Sequence, residues 1–208
     1  MDRIKKLAEL VRPFYGSDDP AHDWPHIGRV SATAKKLARG QDVQLECILA
    51  AVYCHDLVNL PKNHPDRSRA SELAAEAAEP LLNEAGFSKE EITLTKTAII
   101  EHSFSRGLRP SSVESAIVQD SDRLDSLGAI GILRCASVNT LMKSKYYDPF
   151  DPFAESRPLD DKTFMLDHYF VKLFKLPELM MTEAGKKEGY LRVEFMKSFL
   201  QKLREEIR

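Results

Sequence analysis

His26, the adjacent pair His55 and Asp56, and Asp122 are the side chains with which this sequence could hold a metal ion. Two imidazoles and two carboxylates suit a transition or borderline divalent cation, whereas an all-oxygen set would suit magnesium or calcium. Such an ion polarises a bound oxygen as a Lewis acid and makes water nucleophilic at neutral pH.

These residues interrupt the hydrophobic pattern at positions that would otherwise be buried. His55 and Asp56 follow "CILAAVY" at the end of an apolar run. Burying an unpartnered imidazole there costs about 1–3 kcal/mol, and an ion costs more. His26 stands in the first turn of an amphipathic stretch, beside Ile27 and one turn before Val30. Asp120, Asp122 and Asp125 fall among Ile117, Val118, Leu124 and Leu127, and Asp122 and Asp125 share a face at i, i+3. His102 ends an apolar face set by Ile92 and Ile99. A second visible pair, His22-Asp23 in "GSDDPAHDWP", lies in a turn-forming segment. There an aspartate is most economically a helix cap and His22 a partly exposed loop residue. Each feature alone has a plain structural reading, as a hydrogen-bonded histidine or a solvated acidic face; together they offer four donors from three helices.

The elements that must position these residues are helical. Ile27, Val30, Ala34, Leu37 and Ala38 form one stripe over residues 26–39, with Asp23 and Pro25 as cap and first-turn proline. Residues 44–58 are too long an apolar run for a strand, and their alanines favour a buried helix. Gly86 marks the end of a helix from about Arg69 to Ala85. Ser88 with Glu91 and Ser111 with Glu114 read as capping boxes, the first opening a helix to about His102. Residues 128–142 form a further helix whose small residues permit close approach, and helices resume near 162 and from about 182. The irregular stretch 145–161, with Tyr146, Tyr147, Phe150 and Phe153, is a candidate cover for the site or a loop packed on the core. No alternating strand pattern is present. The fold class is all-α, a single helical-bundle domain over residues 1–208 with its core at about 15–200.

Composition narrows the function classes. The chain has 208 residues, 43% hydrophobic and 30% charged, with a net charge of −2, so it offers no positive field for general nucleic-acid binding. No apolar span reaches membrane or signal-peptide length, which points to a cytoplasmic protein. Cys47, Cys54 and Cys135 are too few for a disulfide framework and read as buried thiols in a reducing compartment.

The phrases "HDWPHIGRV", "CHDL", "EHSFS", "QDSDRLDSLGAIGILR", "YYDPFDPF" and "DHYFVKLFKL" resemble, in this order, the HD-domain metal-dependent phosphohydrolases. They fit the bacterial branch of YpgQ- and YedJ-like hydrolases, from about residue 15 to about 200. The resemblance implies an all-helical HD fold with His26, His55, Asp56 and Asp122 as metal ligands. It implies manganese as cofactor, with nickel, cobalt, iron or magnesium as other candidates. It also implies cleavage of a nucleoside triphosphate to monophosphate and pyrophosphate. His64 and His102 are the only histidines between the pair and the last aspartate, so a second metal is permitted but not required.

Phosphoryl transfer needs the developing charge neutralised. Lys62 and His102 are the catalytic candidates for this. Asp125 is the candidate base or water-orienting group, or a partner of His26 or His55. Ser103, Arg29 and Arg106 are candidate substrate contacts, each with a surface or helix-end role as its alternative. The partner is then a small-molecule nucleotide, with neither membrane nor general nucleic acid, and the assembly a homodimer. His168 reads as a hydrogen-bonded core histidine and Trp24 as a packing residue. Alternatives are a nucleotide phosphomonoesterase or cyclic phosphodiesterase on the same metal, an oxygen-activating iron pair, and a non-catalytic helical metal-binding module.

Overall fold

The computed structural model describes residues 2–16, 19, 21–60 and 64–207. Among them are nine α-helices and no strand. The helices are α1 (Asp2–Val11), α2 (Trp24–Leu37), α3 (Leu45–Cys54), α4 (Ala70–Ala85), α5 (Lys89–His102), α6 (Val113–Asp125), α7 (Gly128–Met142), α8 (Met165–Val171) and α9 (Glu183–Glu206). The fold is all-α, as the periodicity requires. The chain divides into two compact units, Met1–Asp122 and Arg123–Arg208.

The first unit is built around α3, which packs against α1, α2, α4 and α5. Its Cys47, Ile48, Leu49, Ala50, Ala51, Val52 and Cys54 are all buried, so it is apolar on every side. A helix surrounded in this way has no amphipathic stripe, and burial contributes about 1.5–3 kcal/mol for each large aliphatic side chain. On α2 the inward stripe is Ile27, Val30, Ala34 and Leu37, all buried. Asp23 caps this helix through Oδ1, which accepts the His26 N–H at 2.9 Å, and Pro25 occupies its first turn.

The apolar run 44–58 does not stay helical to its end. α3 stops at Cys54, and a tight turn follows in which the Leu57 N–H bonds the Cys54 carbonyl at 3.2 Å. Three of the carbonyls that a helix end leaves unpaired are thereby satisfied. His55 Nδ1 donates to the Val52 carbonyl at 2.8 Å and the Tyr15 hydroxyl to the Tyr53 carbonyl at 2.7 Å, with Leu57 on the third.

The Ser88–Glu91 capping box is present, with Ser88 N to Glu91 Oε2 at 2.8 Å and Glu91 N to Ser88 Oγ at 3.3 Å. The second box is not. Ser112, rather than Ser111, caps α6 by accepting the Ser115 N–H at 3.1 Å. Ser111 instead gives its N–H to Glu101 Oε2 at 2.9 Å, and Glu114 accepts the Gln44 N–H at 3.1 Å. Glu101 also takes the Ser115 hydroxyl, at 2.5 Å, and its carbonyl accepts from Gln119 at 2.8 Å. The end of α5 is thus joined to the start of α6, which sets Asp122 relative to His102.

In the second unit α9 packs against α7 and against the 3-10 segment Leu173–Leu179, and α8 packs on that segment and on α7. A Cβ at Gly131 would lie 2.3 Å from the Ser126 carbonyl oxygen, so the close approach foreseen for 128–142 is made by the turn just before the helix. Segment 145–161 is folded on its own aspartates. Asp148 accepts the Phe150 and Asp151 N–H groups at 2.8 and 3.0 Å, and Asp151 accepts those of Glu155, Ser156 and Arg157 at 2.9–3.1 Å. Arg157 makes a forked pair with the buried Asp167 at 2.6 and 2.9 Å. Phe150 is 96% exposed. Two smaller expectations change here. Cys47 and Cys54 are buried but Cys135 is only half-buried. His168 is hydrogen-bonded to Asp161 at 2.8 Å, yet its side chain is 25% exposed and is no core residue.

Candidate metal centre

His26 and His55 bring their Nε2 atoms to 3.4 Å of one another, both side chains almost wholly buried. Asp56 Oδ2 lies 3.3 Å from His55 Nε2 and 3.8 Å from His26 Nε2. Asp122 Oδ1 stands 3.6 and 3.7 Å from the same two nitrogens. The donor atoms of His26, His55 and Asp56 all fall within 4.8 Å of one another.

Two observations test this set against a divalent ion. Donors about 2.1 Å from one ion stand about 3.0 Å apart in octahedral and about 3.4 Å apart in tetrahedral geometry. The observed edges of 3.3–3.8 Å are those of such a shell, slightly expanded. The tautomer of His55 is also set. A carbonyl only accepts, so Nδ1 carries the proton given to Val52, and Nε2 is the nitrogen left to ligate an ion that displaces its proton. The residues fit a divalent metal.

Electrostatics agree. Burial works against the His55 imidazolium, but Asp56 and Asp122 overcome it and hold its pKa well above the ordinary value. The same burial would raise the two carboxyls, yet His55 keeps Asp56 well below the usual range and lowers Asp122 also. Two carboxylates and a proton on one imidazole are the charge arrangement that a cation would replace.

His102 completes the floor. It ends α5, is buried, and its ring meets that of His55 edge to face with centroids 4.8 Å apart. Its Nδ1 donates to the Ile99 carbonyl at 2.5 Å. Burial, with the neighbouring His55, lowers its pKa. A neutral ring so held offers an acceptor at Nε2 and supplies no positive charge to a phosphate, which changes the part it can play.

The visible pair His22-Asp23 divides in two. Asp23 is the cap of α2. His22 Nδ1 is held by Asp19 Oδ2 at 2.6 Å, and its ring lies 6.1 Å from that of His26. Asn59 reaches the same Asp19 oxygen at 3.3 Å and takes a bond from Arg67 at 2.8 Å. Of the other candidates, Asp125 is paired with Arg134 at 3.0 Å and Arg106 with Glu72 at 2.5 Å. Ser103 follows the last residue of α5, its hydroxyl 3.0 Å from that of Ser105. Arg29 lies half-buried on α2. Lys62 lies outside the described residues. Sequence reasoning missed Tyr15, Asp19 and Glu101. Only Asp19 left a signal, its i, i+3 spacing to His22; the other two act from distant elements.

The HD domain model matches residues 24–127, half of the chain, and includes all four donors. The chain belongs to the HD domain family. HD domains bind divalent metals, so the chain is a metal-dependent phosphohydrolase of the HD superfamily. It is 29% identical to the uncharacterized protein YpgQ of Bacillus subtilis (strain 168), covering 97% of this chain and 94% of that one. The crystal structure of B. subtilis YpgQ in complex with ADP matches with a TM-score of 0.76 at 27% identity, covering 98% and 97% of the two chains. An HD-superfamily hydrolase from Bacillus thuringiensis matches with a TM-score of 0.74 at 29% identity, covering 98% and 96%. No helix among the described residues is long and apolar enough to cross a membrane.

Proposed function

We propose that this HD hydrolase acts on nucleotides, cleaving a nucleoside triphosphate between the α- and β-phosphates to give monophosphate and pyrophosphate. The observation that carries the reading is that two buried imidazoles stand within 3.3–3.8 Å of each other and of two carboxylates, the carboxylates being 18% and 26% exposed. The ADP complex of the relative YpgQ supports a nucleotide as ligand.

His26, His55, Asp56 and Asp122 would hold the metal, manganese being favoured because imidazole donors suit a transition ion. When bound, the ion supplies Lewis-acid polarisation of a phosphoryl oxygen and lowers the pKa of water. The chain's own residues do the rest. Val52 fixes the His55 ring, and Asp23 fixes the turn that carries His26. His102 offers its lone pair to a water or hydroxyl proton beside the cluster. Asp125, tied to Arg134, steadies the end of α6 beyond Asp122. Lys62 is the cation proposed for the phosphates, since Arg106 is already engaged by Glu72. The enzyme is proposed to work as a cytoplasmic homodimer.

The test is a panel of nucleoside tri-, di- and monophosphates with manganese, in which phosphate and pyrophosphate are measured separately. Pyrophosphate from triphosphates is the expected product. Release of inorganic phosphate from monophosphates, with triphosphates untouched, would replace this reading with a nucleotidase.

A further inference from the structure

Trp24 takes no part in the candidate metal centre, yet it is the wall of a second concavity. The indole, half-buried at the start of α2, lies near-parallel to Tyr53, with centroids 5.9 Å apart and planes at 26°. Tyr15 flanks it at 5.9 Å, tilted by 49°. Together with Glu9, Arg12, Pro13 and Asp23 it lines a cleft of about 560 Å³, within the range of small-molecule sites.

The Arg12 guanidinium stands over the indole at 6.0 Å from the ring centroid. Elsewhere in this molecule guanidinium groups sit tight on their rings, at 4.5 Å for Arg3 on Phe87, 4.4 Å for Arg157 on Phe164 and 3.9 Å for Arg204 on Phe153. Arg12 alone of these four stands off. A flat ring sandwiched between two such faces needs about 7 Å, twice a van der Waals separation. Arg12 is exposed and can yield the remaining distance of about 1 Å by a change of rotamer. Among the polar groups that line this slot are the carboxylates of Glu9 and Asp23, the latter with one oxygen already taken by the His26 N–H; carboxylates accept hydrogen bonds only and so favour an edge bearing N–H groups. Asp23 also precedes the turn that carries His26, so the cleft and the candidate metal centre share the start of α2.

We propose that this cleft is the nucleobase subsite of the enzyme, taking an amino-bearing base between Trp24 and Arg12 with Glu9 and Asp23 at its edge. The proposal rests on the nucleotide reading above and extends it to the base.

Trp24 is the chain's single tryptophan, so its fluorescence reports on the cleft directly. Adenosine, with no metal added, should quench it saturably. Purine riboside, which lacks only the exocyclic amine, should bind several-fold more weakly, and Arg12→Ala should weaken adenosine roughly tenfold. In turnover assays adenosine should raise the KM for ATP without changing kcat. Absence of saturable quenching while ATP is hydrolysed would overturn the proposal and leave the phosphohydrolase reading intact. Quenching with inhibition that ATP cannot relieve would also overturn it. If no nucleotide were turned over, the phosphohydrolase reading would fall, while saturable quenching, weakened in Arg12→Ala, would still uphold the cleft as a base site.

Discussion

Asp56→Asn compared with Asp23→Asn asks which of the two His-Asp pairs works. Asparagine at 56 keeps an oxygen where Oδ2 now lies, 3.3 Å from His55 Nε2, but removes its charge. The donor set then has one carboxylate instead of two. Truncating one partner of a desolvated charge pair costs about 2–5 kcal/mol, which corresponds to roughly 30-fold to several-thousand-fold in metal affinity. The fold should survive, because Asp122 remains 3.7 Å from His55 as a counter-ion. Asparagine at 23 retains the oxygen that caps His26 N–H at 2.9 Å and loses only a charge–dipole contribution of about 0.3–1 kcal/mol. Bound metal is measured by mass spectrometry after desalting, with manganese titration and turnover on the same preparations. Asp56→Asn should lose bound metal and most turnover, and Asp23→Asn should keep its metal and kcat, with only the KM for ATP raised by the carboxylate lost at the edge of the base. A metal-free Asp23→Asn beside a loaded, active Asp56→Asn would show the pairs assigned the wrong way round.

Chelation should abolish phosphohydrolysis, and manganese should restore it better than calcium; full activity in chelator-treated, metal-free protein would end the metal mechanism. In the metal-free protein the raised pKa of His55 makes a contribution to stability that is complete below about pH 6.5, the ordinary imidazole value, and is lost as pH rises through the raised one. The depressed Asp56 and Asp122 contribute above about pH 4 and lose their contribution as pH falls through their lowered values. Above about pH 7, where the lowered His102 contributes fully, the Tm of the metal-free protein should therefore decline as pH rises through the raised His55 value while manganese affinity rises, and a Tm that climbs there would contradict the charge arrangement. Ser112→Ala should cost about 0.5–2 kcal/mol in denaturant unfolding and Ser111→Ala much less, the reverse order refuting the cap. Arg157→Ala strands the buried Asp167 carboxylate and should cost about 3–5 kcal/mol, whereas an unchanged Tm would mean that the segment relaxes and hydrates it.

The helices were legible wherever one face had to be buried. The stripe on α2, the Ser88–Glu91 box and the span 128–142 depend on neighbours within a few residues. The end of α3 was not, because one of the three groups that close it comes from Tyr15, a residue 38 positions away whose hydroxyl pairs the Tyr53 carbonyl. Ser111 and Ser112 offer equivalent caps in sequence; the choice was made by Glu101, which takes the Ser111 N–H from the preceding helix. The four candidate donors could be read because polar groups in apolar runs need partners. Their neighbours could not: Arg134 beside Asp125 and Glu72 beside Arg106 look like ordinary surface charges, and tertiary packing alone pairs them.

The cluster has a closed wall and an open one. The imidazoles of His26 and His55 are 0% and 1% exposed, while the carboxylates of Asp56 and Asp122 are 18% and 26% exposed. Traffic through the site must therefore cross an anionic threshold. A bare cation is drawn inward, whereas a polyphosphate arriving first is repelled. Such a threshold favours an order of assembly in which the metal binds before the substrate. It also separates two kinds of damage in kinetic terms. Changing a histidine alters how long the ion stays, and changing a carboxylate alters in addition how quickly it arrives.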